Sequence, residues 1–299
     1  MSIVTDLSVD TGGSARVDAA VAAAEAAATA SGVTVRQLDG MDELRRVCAL
    51  YDRIWGFGAK GAPVTSELLR AMSKAGSYVA GAFDGDDMVG ACVGFFAPPT
   101  EEAMHSHIAG VSSRTRGRSV GFALKVHQRA WAMMRQVSEI SWTFDPLVGR
   151  NAYFNLVKLG ARPVEYLANF YGPMHDGING NDDTDRLLVS WELDDPRVVA
   201  ACSGAHAVVD LATERASGAV SALEVSETGE PVVYATEPGR TALVAVPPDI
   251  EGLRANDSAC AARWRTAVRD VLGGLLADGA CIRAFDRSDF YLVDPGDLT

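Results

Sequence analysis

Residues 104–136 read MHSHIAGVSSRTRGRSVGFALKVHQRAWAMMRQ, and few chain architectures accommodate that succession. An extended run, 104–111, passes through a polar, glycine-containing segment into a long helix. A strand that reaches a helix N-terminus through Arg116-Gly117-Arg118-Ser119-Val120-Gly121 gathers unpaired backbone N–H groups, the positive end of the helix dipole and guanidinium charge in one place. Such a place suits a pyrophosphate. An ordinary loop with solvated arginines is the other reading of the same residues. No GxxxxGK[ST] occurs, so a Walker-type phosphate loop is excluded, and the first strand-to-helix turn has no GxGxxG, which leaves nicotinamide and flavin binding without support.

The elements on either side set this unit in a mixed α/β domain. VTVRQL from Val33 reads as a strand, and MDELRRVCALYDRIWG follows with Leu44, Val47, Leu50, Tyr51 and Ile54 at helical spacing. A second helix is expected over 64–75, stopped by Gly76, and SYVAGAFDGDDMVGACVGFFAPP is two apolar runs about a DGDD turn, the pattern of a hairpin. After the loop and its helix, EISWTFDP reads as a strand, NAYFNLVKLG as a short helix closed by Gly160, and 163–193 as two strands around the polar HDGINGNDD. Beyond Asp195 the patterning gives a hairpin over 219–235, a strand over 241–247, a helix closed by Gly279 and a terminal strand pair. Residues 15–31 are Ala-rich and favour helix on propensity while offering little apolar surface. The expected organisation is an extension over 1–32, a principal domain over 33–195 and an accessory α/β region over 196–299.

Charge and cysteine usage narrow the function classes. With 27 Lys and Arg against 39 Asp and Glu the net charge is −12, which repels nucleic-acid phosphates and anionic lipid. Neither a nucleic acid nor a membrane is an expected partner. The 5 cysteines are scattered and form no CxxC pair, which argues for a reducing compartment without a disulfide framework or a thiolate metal site. No basic-then-apolar leader opens the chain and no run of eighteen apolar residues occurs, so a cytoplasmic protein is expected.

The order strand, two helices, hairpin, strand, loop, helix, strand, helix, hairpin resembles the GNAT superfamily of acyl-CoA N-acyltransferases. The loop resembles that family's V-x-x-x-x-R-G-x-G-x-G/A, here Val111, four residues, then Arg116 to Gly121, with Leu124 following on the helix. The string WTFDPLVGRNAYFNLVKLGA, followed by YLANFYG and DRLLVSWEL, is similar to a subgroup of predicted GNAT acetyltransferases, and the likeness runs from about Val33 to Leu193. What the resemblance implies is an acyl-CoA co-substrate, acetyl-CoA or another acyl-CoA such as succinyl-CoA. Its pyrophosphate would lie on Arg116, Gly117, Arg118, Ser119, Val120 and Gly121, and its pantetheine arm would pair with backbone of Ile108, Ala109, Gly110 and Val111, with Asn151 nearby. Ser119 departs from the family, which usually has glycine there; a register of Arg118-x-x-Gly121-x-Ala123 restores a glycine but adds two residues after the strand.

Amine acylation needs a base for the amine proton and, optionally, an acid for the departing thiolate. In several family members the base is a carboxylate eleven residues before the loop's first basic residue, and that position here is His105. Strict alternation along the strand puts His105 and His107 on one face with Ala109 and Val111, and Ser106, Ile108 and Gly110 on the other. A histidine suits a base at neutral pH; either of the two is a candidate, and no third ligand is spaced to make them a metal site. The family's Tyr, four residues before the helix-ending glycine, is Leu156 here. Tyr153 is a substitute phenol and Asn155 a hydrogen-bonding alternative. For the acceptor, Asp145 and Arg186 are candidates; Arg186 suits a substrate carboxylate, or else an ion pair with Asp182, Asp183 or Asp185.

The expected activity is therefore acyl-CoA-dependent N-acyl transfer to a small-molecule amine, an amino acid being the guess that some relatives of this type suggest, by direct attack on the thioester and without a metal. A non-catalytic acyl-CoA sensor or scaffold and a protein N-acetyltransferase are the alternatives. Residues 196–299 carry no catalytic signature and would cover a sheet edge, narrow the acceptor pocket or form a homodimer contact.

Overall fold

The computed structural model describes residues 11–56, 63–172 and 182–296. Part of the expected 1–32 extension, and most of the polar loop expected at 175–183, lie outside the described residues.

Two sheets share one continuous apolar core. The larger has seven strands in the order β1-β2-β3-β4-β5-β7-β6, formed by Thr34–Gln37, Tyr78–Asp84, Asp87–Phe96, Ala103–Val111, Glu139–Phe144, Arg186–Glu192 and Arg162–Leu167 respectively. All its pairings are antiparallel except β4 with β5. One face is covered by α2 (Met41–Trp55) and α3 (Ser66–Lys74). Leu44, Val47, Leu50 and Tyr51 make the buried stripe of α2, which ends at Gly56 in the left-handed region, and the Thr65 hydroxyl caps α3 by accepting from Leu68 N–H.

The opposite face is covered by α4 (Val120–Met133), itself overlaid by α1 (Thr11–Ala30). Ala20, Ala24 and Ala27 are buried at the contact. Methyl side chains there let the two helices approach closely, so the Ala-rich segment is an integral layer of the fold despite its small apolar area. β5 leads into α5 (Gly149–Ala152), whose last turns widen to π-type winding over Tyr153–Lys158 before Gly160 at φ +71°.

Residues beyond β7 return to the first sheet and then build a second. The α6 helix (Pro196–Cys202) packs against Gly160, and α7 (Leu211–Ala216) follows. The second sheet runs β11-β12-β10-β8-β9, from Cys281–Asp286, Phe290–Asp294, Ala242–Ala245, Val220–Val225 and Pro231–Val233, with β10 and β8 parallel. Helices α8 (Ile250–Asn256), α9 (Ser258–Val268) and α10 (Gly274–Ala277) lie between β10 and β11, α9 and α10 being joined by a π-wound turn. Trp264 of α9 is fully buried and donates to Gly229 O at 2.8 Å. No described helix is long and apolar enough to cross a membrane.

Candidate active site

The larger sheet opens in its middle. β4 and β5 pair only at Ala103 with Glu139, Met104 with Ile140 and His105 with Ser141; from Ser106 to Val111, β4 has no β5 partner. That side of β4 therefore presents main-chain donors and acceptors to a wedge between two strands. Ile108, Ala109, Gly110 and Val111 line it, and the Ile108 carbonyl also accepts from the Tyr51 phenol at 3.3 Å.

A bulge against β3 sits at His107, because Val93 pairs with Ile108 and Gly94 with Ser106. It breaks the expected alternation. His105 and His107 do share a face, both in contact with the Phe95 ring and 6.1 Å from each other. They do not share it with Ala109 and Val111, however: Ile108 and Gly110 turn toward α2, while Ser106 and Val111 turn toward α4. The extra residue shifts the period-two pattern by one, which spacing alone does not reveal.

At the far end of β4 the chain reaches α4. Gly117 has φ +85° and Ser119 has φ +60°, ψ +24°, so the position where the family favours glycine is left-handed here and serine occupies it with some strain. No side chain caps the α4 N-terminus, which leaves its first N–H groups available to an anion. Arg116 is exposed. Arg118 is otherwise engaged: it pairs with Asp84 at 2.6 Å and donates to the Ser31 and Gly32 carbonyls, tying the loop to the end of α1. Of the two loop guanidinium groups, Arg116 is thus the one placed toward solvent.

Where the strands part, His105 Nδ1 lies 3.4 Å from Ser141 Oγ. Burial, the neighbouring His107 and the cation of Lys125 together push the His105 pKa down to about 4, and burial lowers that of His107. Both rings are therefore neutral at pH 7. Thr143, two residues along β5, meets the Tyr171 hydroxyl at 3.2 Å. The floor on the α2 side is thus a row of His105, Ser141 and Thr143 bounded by the half-exposed rings of Phe95 and Tyr171.

Behind this floor, on the α4 side, Lys125 is a residue that the sequence did not single out. It is buried, donates to Ser106 Oγ and Gln128 Oε1, both at 3.0 Å, and stands 3.6 Å from the Trp142 ring centre. Burial lowers its pKa to about 8. A lone lysine within an almost wholly buried helix leaves no periodic signal.

The other expected residues are dispersed. Asn155 is buried and accepts from Trp142 Nε1 at 3.1 Å, which fixes it behind β5. Asn151 is half-buried in α5. Tyr153 projects to a surface cleft, where its hydroxyl accepts from Arg287 Nε at 2.9 Å. Asp145 is a buried hub: Arg265 grips both its oxygens at 2.9 and 3.0 Å, and Arg254 donates at 2.6 Å. These arginines hold its carboxyl well below the usual range despite burial. Arg186 is buried beside this hub, 3.9 Å from Asp145, with its guanidinium over the Tyr171 ring. The cluster joins the two sheets, since Arg254 and Arg265 come from α8 and α9. Among the described residues no group of three or more His, Cys, Asp or Glu is arranged to hold a metal ion.

From β1 to β7 the structure has the element order expected from the sequence, strand, two helices, hairpin, strand, loop, helix, strand, helix and hairpin, in a mixed sheet flanked by helices. The chain is similar to the N-acetyltransferase from Staphylococcus aureus Mu50, at 12% identity and TM-score 0.44, over 54% of this chain and 99% of that one. It is similar also to the ribosomal-protein-alanine N-acetyltransferase from Brucella melitensis, at 16% identity and TM-score 0.44, over 52% and 98%. A third is the acetyltransferase of GNAT family from Streptococcus pneumoniae, at 11% identity and TM-score 0.44, over 53% and 98%. No protein-family model matches the sequence, and no curated protein matches it.

Proposed function

We propose that the protein transfers an acetyl or succinyl group from coenzyme A to the amine of a small molecule. The observation that carries this reading is the wedge: β4 parts from β5 after three pairs and leads to a glycine-containing loop at an uncapped helix N-terminus. An acyl-thioester threaded there would pair its pantetheine amides with residues 108–111 and lay its pyrophosphate on residues 116–121, with Arg116 as the exposed cation. The bounded floor between Phe95 and Tyr171 suits a small acceptor better than an extended peptide.

In this reading the amine nitrogen attacks the thioester carbonyl carbon, the new C–N bond forms, and the C–S bond breaks. With Nδ1 donating to Ser141, His105 Nε2 carries the lone pair that takes the proton, which the nitrogen sheds readily once attack has made it acidic. The buried ammonium of Lys125 lies behind Ser106, the first residue past the last pair, and favours negative charge developing there. The thiolate leaves and takes a proton from water, because the Tyr153 phenol is turned into the separate cleft beside Arg287.

Thiol release from acetyl-CoA or succinyl-CoA in the presence of small amines tests the reading. His105→Ala is expected to lower kcat by about 10²–10⁴-fold with unchanged affinity for CoA. Because the His105 pKa is depressed to about 4, its acid limb is expected below about pH 5 rather than near 6.5. Equal kcat and an identical pH profile for the variant would remove His105 from the reaction.

A further inference from the structure

An open cleft of about 640 Å³ lies outside the wedge and the acceptor floor. Arg150, Tyr153, Phe154 and Lys158 form one wall, and Phe285 and Arg287, at the turn between β11 and β12, form the other. Its volume is in the range of small-molecule sites.

Its chemistry is specific. Arg150 is already bonded to Glu251, at 2.9 Å through Nη1. Lys158 makes no ion pair among the described residues, and the hydrogen bond of Arg287 goes to a neutral phenol through Nε, so its terminal nitrogens remain for an acceptor. Two such cations beside the half-buried rings of Tyr153 and Phe154 fit a planar base that carries a phosphate, and the lining carboxylate of Asp289 is turned onto Gly149. Phe154, which lines the cleft, also reaches the start of α4: its ring comes within 3.9 Å of where a β-carbon on Gly121 would stand.

We propose that this cleft receives the 3′-phosphorylated adenosine of the acyl-CoA donor, with the purine against the aromatic wall and the 3′-phosphate on Lys158 and Arg287. The inference rests on the donor reading above and gives residues 196–299 a role: they complete the donor site. The turn that carries Arg287 is fixed for this purpose. Asp289 seats its carboxylate against Gly149, where a β-carbon would stand 2.1 Å from Oδ1, and the Tyr291 hydroxyl donates to Pro146 O at 2.8 Å.

Calorimetric titration with CoA, 3′-dephospho-CoA and adenosine 3′,5′-bisphosphate tests it. In the wild-type protein CoA is expected to bind at least about tenfold tighter than 3′-dephospho-CoA, with the bisphosphate alone binding weakly and competing with CoA. The double variant Lys158→Gln, Arg287→Gln, checked for an unchanged melting temperature, is expected to lose that tenfold difference and keep the affinity for 3′-dephospho-CoA. Equal wild-type affinities for the two CoA forms, or a double variant that still discriminates, would overturn the inference and leave the donor reading standing. Binding of neither form would overturn both.

Discussion

In the seven-stranded sheet β4 shares three register pairs with β5 and then departs from it; in the five-stranded sheet β10 is paired along all four residues with β12 and along three with β8. The charges divide as well, though not sheet by sheet. Around Asp145, where the second sheet's helices meet the first, carboxylates and guanidinium groups are buried in mutual contact. Along the loop after β4 and the α5 cleft, Arg116, Lys158 and Arg287 face outward without a carboxylate partner among the described residues. Main-chain and cationic groups are left open along the wedge and the α5 cleft, and are closed on one another at the Asp145 hub, where the two sheets are held together.

The largest break in that comparison is expected at the closed cluster. Arg265→Leu strips Asp145 of its two-point partner and leaves a buried carboxylate short of charge, which should cost about 3–5 kcal/mol. Calorimetric melting would show a fall on the order of 10 °C, whereas Arg116→Leu at the open loop should leave the melting temperature nearly unchanged.

Lys125 belongs to neither class, a buried cation among neutral acceptors. Its folded pKa of about 8 lies below the ordinary 10.5, so between those pH values the unfolded chain holds a proton that the folded chain has released. Stability from this group therefore rises with pH across that window, by about 3 kcal/mol in total. Urea unfolding from pH 7 to 10.5 should show a rise in wild type that Lys125→Met lacks; parallel curves would mean that the lysine is not buried as described.

Two smaller tests sharpen the contrast at glycine and serine. Gly149→Ala places a β-carbon on Asp289, and displacing that carboxylate should cost about 1–3 kcal/mol. Ser119→Gly relieves a left-handed serine at some cost in chain entropy, and a net gain of about 0.5 kcal/mol is expected.

Much of the larger sheet was legible because its elements announce themselves locally: the stripe of α2, the DGDD hairpin, and the strand, loop and helix over 104–133. The wedge was not, since a bulge at His107 and a failure of pairing after His105 are properties of two strands together. The hub was equally hidden: Asp145 is 120 residues from Arg265 in the chain, and no spacing rule joins them. Asp145 stands at the strand-to-helix turn and Arg186 opens β7, as the sequence indicates, while the fold places Asp145 in contact with charge supplied by α8 and α9 and Arg186 beside it. Arg287 lay in a terminal strand pair with no motif to distinguish it, and the short helices α6, α7 and α8 were too brief for periodicity to show.

Thermal unfolding with and without acetyl-CoA, succinyl-CoA and free CoA is the direct test of whether the wedge holds an acyl-CoA. At about one hundred times Kd a ligand specific for the folded state adds roughly 2.7 kcal/mol. A rise of several degrees is expected, larger for one thioester than for free CoA, which would also name the acyl group. No shift with any of the three at millimolar concentration would contradict it.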